Sequence, residues 1–151
     1  MATLTFYGGA GEVGGNKILV QDLDSKILLD FGMNLTERGR FFSEPFLSPR
    51  DEHGMIELGI LPDLEGLYKG EEEPAVDAVV LSHSHIDHSM CISLLNRKTP
   101  VYCGETTKMI LEALSEVRPA GFENDLKGIE FHTFRTGDKV RIGEVEVEPV
   151  H

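Results

Sequence analysis

Ala78-Val79-Val80-Leu81-Ser82-His83-Ser84-His85-Ile86-Asp87-His88 joins an unbroken apolar run to three histidines and an aspartate. The apolar content predicts a strand over residues 78–82 that is buried on both faces. In extended backbone, residues two apart point the same way, so His83, His85 and Asp87 are expected to project to one side as the strand runs out. His88 breaks that phase. The chain must therefore turn between Asp87 and His88, which lets their side chains address a second position beside the first.

Imidazole with carboxylate is metal-ligand chemistry. Zinc suits the set best, with manganese and iron left open because the Irving–Williams order leaves selection to geometry and availability. A polar loop whose histidines only hydrogen-bond would explain a single H-x-H pair, but not four such residues within six positions at a strand end. A closed structural zinc site favours cysteine-rich sets, and six contiguous residues wrap poorly around one ion. The pattern fits two ions sharing a water, lowering its pKa and clamping the attacked oxygen. With about three protein ligands per ion, roughly six are needed. His83, His85, Asp87 and His88 supply four, and His151 is the one late candidate.

Outward from the motif, residues 3–7, 17–21 and 26–30 read as short strands forming an antiparallel start to a sheet. Residues 33–76 lose periodicity and are expected to pack as a long loop insertion or lid with a few short turns. Residues 90–95 read as a short helix behind the motif and 101–103 as another strand. Residues 106–118 form an amphipathic helix with Met109, Ile110, Ala113, Leu114 and Val117 on one face, Thr106 as N-cap and Pro119 as terminator. Strand character returns at 129–134, 139–142 and 144–150. Interleaved strands and helices make the class α/β or α+β with a mixed, mostly antiparallel sheet and flanking helices.

The chain has 151 residues, 40% of them hydrophobic and 26% charged, enough for one domain with a core of its own. It has no apolar run of bilayer length, residues 1–7 do not read as a secretory leader, and Cys91 and Cys103 lack C-x-x-C spacing or a disulfide framework. The expectation is a cytoplasmic protein without membrane attachment. A formal charge of −12 argues against nucleic acid, although bound divalent cations would offset it where a phosphate sits.

Several weaker signals read as structural. Gly9-Ala10-Gly11-Glu12-Val13-Gly14 satisfies the dinucleotide fingerprint G-x-G-x-x-G, but a strand rather than a helix follows, so the glycines are read as shaping a tight loop near the metals. Arg38, Arg40 and Arg50, interleaved with Phe41, Phe42 and Phe46, could make a phosphate and stacking patch. The preferred reading is a packed loop with solvated arginines. His53 and His132 are read as ordinary surface histidines, and Lys108 with Glu112 as a solvated ion pair.

The H-x-H-x-D-H run after a buried strand resembles the signature of the metallo-β-lactamase superfamily. Three further stretches, Gly8 to Asn16, Leu28-Leu29-Asp30-Phe31-Gly32 and Arg135-Thr136-Gly137-Asp138, resemble its β-CASP branch of RNA-processing nucleases, which includes ribonuclease J and the archaeal cleavage and polyadenylation factors. The resemblance implies the first half of an αββα fold, with residues 1–151 as the N-terminal part of the domain. It implies that His83 and His85 bind a first zinc and that Asp87 and His88 bind a second. Asp30 would support the metal loop by hydrogen bonds rather than bind metal; its alternative is a solvated strand-end residue. The third-motif histidine would lie about three positions past His151, which is therefore left unassigned.

The function implied is hydrolysis of RNA phosphodiesters by a metal-bridging hydroxide, with RNA as partner of the full-length protein. A thioesterase- or lactonase-type hydrolase and a catalytically silent metal-binding module are the competing readings. Half of such a fold leaves one sheet face apolar and open, which calls for a second copy or another partner to cover it.

Overall fold

A computed structural model describes residues 1–43, 47–119 and 121–150, so Phe46 of the arginine–phenylalanine stretch and His151 lie outside the described residues. Among these, strands β1 (Thr3–Gly8), β2 (Lys17–Asp22), β3 (Ser25–Leu29), β4 (Ala78–Val80), β5 (Val101–Gly104) and β6 (Phe131–Phe134) form one six-stranded sheet in sequence order. The β1–β2 and β2–β3 ladders are antiparallel, joined at the second by the tight Asp22–Ser25 turn, where Leu23 takes a positive φ of 51°. The β3–β4, β4–β5 and β5–β6 ladders are parallel. The sheet is mixed, as expected, but its balance is not mostly antiparallel. The long connections before β4, β5 and β6 each return the chain to the end of the sheet where the previous strand began, which gives parallel pairing.

β4 is the interior strand that the apolar run predicts, with Ala78 and Val79 fully buried and Val80 nearly so. One face of the sheet packs Leu19, Leu28, Val79, Val101 and Cys103 against Ile92, Leu94, Leu95 and Leu111. Leu111 belongs to the helix Glu105–Val117, which follows β5. That helix starts one residue before Thr106, with Gly104 at the N-cap and no side-chain cap, so the Thr106 assignment is corrected.

Residues 33–76 contain two short helices, α1 (Leu35–Phe41) and α2 (Glu52–Glu57), capped by the side chains of Asn34 and Asp51. The segment is part of the core rather than a lid, because Met33, Met55, Ile60, Leu61, Leu67, Tyr68 and Val76 are all buried. Its apolar residues carry no helical or strand period, which is why the sequence shows a loop there. Next in order come α3 (Ile86–Ser89), a 3-10 turn at Met90–Leu94 and α4 (Glu105–Val117).

The final strands β7 (Val140–Ile142) and β8 (Val145–Val147) pair only with each other. Their hairpin covers part of the sheet's second face, where Ile142 is buried with Ile27, Ala78, Val80 and Phe134. The β1–β2 end of that face stays open, with Leu4 and Phe6 at 59% and 54% exposure. Among the described residues, no helix is long and apolar enough to cross a membrane.

Candidate metal centre

The motif sits where β4 ends. His85 is still extended (φ −63°, ψ 148°), and α3 begins at Ile86. The turn therefore comes before Asp87, two residues earlier than sequence alternation suggested. His83 and His85 leave from the strand exit, and Asp87 and His88 from the first helical turn. Ser89 holds that turn, donating its hydroxyl to the carbonyls of Ser84 and His85 at 3.0 Å each.

The turn is stitched to the chain after β3. Phe31 N–H donates to His88 O at 2.8 Å, Met33 N–H to Ile86 O at 3.0 Å, and Asn16 N–H to Asp87 O at 3.1 Å. Gly32 lies against this turn so closely that a Cβ there would run into the backbone of Asp87 and His88. The glycine of Leu28-Leu29-Asp30-Phe31-Gly32 is thus a requirement of close backbone approach.

Asp30 has a positive φ of 58° and is 8% exposed. Its carboxylate accepts from Ser82 N–H at 2.8 Å and from Ser82 Oγ at 2.9 Å, and it meets His88 Nδ1 at 2.7 Å. It is not a solvated strand-end residue. Ser82 Oγ also lies 2.9 Å from His83 Nδ1, so one hydroxyl joins Asp30 to the first histidine. A carboxylate can only accept, which places the His88 proton on Nδ1 and leaves Nε2 with its lone pair. Ser82 donating to Asp30 likewise receives the Nδ1 proton of His83, freeing His83 Nε2.

The three imidazoles converge, with ring centroids of His83 4.5 Å from His85 and 4.0 Å from His88. Burial, followed by the neighbouring His88 and His85 rings, holds the His83 pKa below its ordinary value. The free donors fall into two pairs. His83 Nε2 is 2.9 Å from His85 Nδ1, and His88 Nε2 is 3.5 Å from Asp87 Oδ2. Two ligands of a tetrahedral zinc with bonds of about 2.0–2.1 Å stand about 3.3 Å apart. The second pair already has that spacing, and the first needs a small opening. Donor type and pairing therefore fit zinc, while among the described residues no three or more His, Cys, Asp or Glu are gathered into a complete ligand group.

Other candidates lie elsewhere. Arg38 is not solvated; it pairs with Glu123 at 3.0 Å, both largely buried, while Arg40 pairs with Glu37 and lies over the Phe41 ring. Phe41 and Phe42 pack against the core, and Arg50 is exposed. His132 stacks on Tyr102 and meets Glu130, and His53 lies in α2, both away from the motif. The glycine-rich stretch runs into β2, as expected of a loop, and reaches the motif through Asn16. Sequence reasoning missed Ser82 and Asn16. Their only signals were position: a hydroxyl at the end of the buried strand, and the one amide closing a run of glycines.

A family model described as a beta-lactamase superfamily domain matches residues 61–151, more than half of the chain. The chain belongs to the metallo-β-lactamase superfamily. Among curated proteins, the transcription termination factor FttA of Lokiarchaeum sp. is 30% identical over 142 residues, covering 83% of this chain and 19% of that one. The FttA of Cenarchaeum symbiosum is 35% identical over 108 residues, covering 70% and 14%. The chain thus spans about a fifth or less of the length of these relatives. Among solved structures, a protein of unknown function from Enterococcus faecalis aligns over 97% of this chain and 36% of its own, with 30% identity and a TM-score of 0.73. Metallo-β-lactamase membership accounts for the mixed sheet with the H-x-H-x-D-H turn at the end of an interior strand.

Proposed function

We propose that this chain carries the first metal-binding segment of a zinc-dependent phosphodiesterase acting on RNA. The observation that carries the reading is the convergence of His83, His85, Asp87 and His88 into two donor pairs, with Asp30 and Ser82 fixing the protons on the far side of two rings. His83 and His85 would hold one ion, Asp87 and His88 the other; manganese or iron could replace zinc. Bound zinc would supply an activated water and neutralise charge on the phosphodiester. Asp30 keeps His88 in the tautomer whose Nε2 can bind, and Ser82 does the same for His83. The remaining donors come from sequence outside these residues, in keeping with the much greater length of the FttA relatives. The name those relatives carry, transcription termination factor, supports RNA as the polymer.

The charge of −12 favours a second reading, a small neutral thioester or lactone as substrate. The test is RNA cleavage by the full-length protein with and without chelator, beside thioester and lactone hydrolysis. The expected result is chelator-sensitive RNA cleavage lost in His85→Ala. Metal-dependent turnover of thioester or lactone with no cleavage of any RNA would overturn the first reading. For the 151-residue chain alone, with paired rather than complete donor groups, the expected result is zinc binding with weak or no turnover.

A further inference from the structure

Asn16 closes the glycine-rich loop and reaches into the motif. Its carboxamide nitrogen lies 3.3 Å from Asp87 O and 3.2 Å from His88 Nε2. Its Oδ1 faces the other way, packed so near Gly9 that a Cβ on Gly9 would meet it. That contact with a carbonyl oxygen identifies the Asp87-facing atom as the NH2 group, a donor only. The opposite nitrogen of His88, Nδ1, lies 2.7 Å from the Asp30 carboxylate, which is an acceptor only. The ring proton is therefore on Nδ1, and Nε2 accepts from Asn16. This is the same nitrogen that, with Asp87 Oδ2 3.5 Å away, forms the second donor pair.

A lone pair serves one partner at a time. We infer that Asn16 is a positioning residue that caps the metal-facing Nε2 of His88 in the metal-free chain and yields it when a divalent metal binds there. The inference rests on the metal reading proposed above. The cap holds the imidazole aimed, with its lone pair already presented, and keeps an unrelated donor from Nε2. Yielding requires only the side chain to rotate. The backbone ties of Asn16, its N–H to Asp87 O at 3.1 Å and its carbonyl receiving Gly32 N–H at 3.1 Å, stay in place. The glycine-rich loop thus remains docked while one carboxamide gives way. Because Oδ1 is wedged against Gly9, where φ is +84°, the rotation is felt first at residues 8–9.

Loading the His88 position therefore costs the hydrogen bond that Asn16 made, and removing the cap strengthens metal binding. The experiment is a titration of the isotopically labelled 151-residue chain with zinc chloride. NMR follows the His88 ring nitrogens, the Asn16 side-chain NH2 pair and the Asn16 backbone amide, and calorimetry compares wild type with Asn16→Ala. In wild type the Asn16 NH2 pair is expected to shift in step with His88 Nε2, while the Asn16 backbone amide stays protected. Asn16→Ala is expected to bind zinc about 2- to 12-fold more tightly, the equivalent of one hydrogen bond. A His88 Nε2 signal that reports coordination while the Asn16 pair stays fixed overturns the assignment of Asn16 alone, as does weaker zinc binding by a folded Asn16→Ala. Histidine signals that ignore zinc overturn the metal reading itself. The wild-type spectrum decides the matter even if the variant does not fold.

Discussion

Asp30→Asn tests whether the carboxylate beneath His88 sets the metal-facing nitrogen or merely closes a strand end. Asparagine has the same shape and tolerates the left-handed backbone that Asp30 adopts at φ 58°, so the substitution leaves the turn unstrained. One oxygen can still accept from Ser82 N–H, the 2.8 Å bond. The atom now facing His88 Nδ1 across 2.7 Å becomes an NH2 group, a donor against a donor. The ring can answer only by moving its proton to Nε2, the nitrogen a metal needs, and that displaces the Asn16 amide now donating there. A charge-assisted hydrogen bond contributes about 1.5–3 kcal/mol, and the new amide-to-Nδ1 bond returns part of it, so the metal-free chain should lose about 1–2 kcal/mol. Zinc affinity carries the larger effect, a fall of about 10- to 100-fold, because binding at His88 must first reverse the tautomer. Urea denaturation of the metal-free chain and competition with a chromophoric chelator measure the two terms separately. A variant with reduced stability but zinc affinity within about twofold of wild type would refute the tautomer argument.

Three other substitutions or probes test the scaffold. Gly32→Ala places a Cβ into the Asp87–His88 backbone, a clash that no rotamer relieves, so thermal denaturation should show a loss of more than about 3 kcal/mol or no folding; a Tm near wild type refutes the close approach. Lys17 is 1% exposed and burial holds its pKa below the ordinary 10.5, so the folded chain binds fewer protons than the unfolded one between its lowered pKa and 10.5. Wild-type stability measured against Lys17→Met should therefore rise with pH through that interval, and a flat or falling difference contradicts the burial argument. Burial pushes the Cys91 thiol up to about 12 and the Cys103 thiol up to about 11, so at pH 8 a thiol reagent should react with both only as the chain unfolds; prompt reaction of either in native buffer counts against their placement in the core.

Much of the fold was legible because its apolar residues are periodic. The strands at Lys17–Asp22 and Ser25–Leu29 carry alternation and lie within a residue of where it puts them; the helix Glu105–Val117 also lies where its stripe puts it, but Met109, Ile110 and Val117 of that stripe are exposed and Leu111, outside it, is the buried residue. Residues 33–76 were opaque for the opposite reason. Met55, Leu67 and Tyr68 are buried by a path without a repeat, and only a neighbouring surface, not a local period, tells a chain where such residues point. The sheet's parallel half was misjudged on the same grounds, since strand direction depends on how long connections return. Arg38 was read as solvated because its partner, Glu123, is far away in sequence.

The sequence by itself determined the candidate ligand types and their local order, since His83, His85, Asp87 and His88 lie within six residues at the end of a buried strand. Covalent spacing alone keeps such a cluster together. Tertiary structure decided which ring nitrogens of those candidates keep a lone pair. Asp30 arrives from the end of β3, Ser82 from the end of β4 and Asn16 from the glycine-rich loop, and together they fix the protons on His88 and His83. A ring's tautomer depends on what faces its far nitrogen, and residues that are 72 and 58 positions from His88 can face it only in the folded chain.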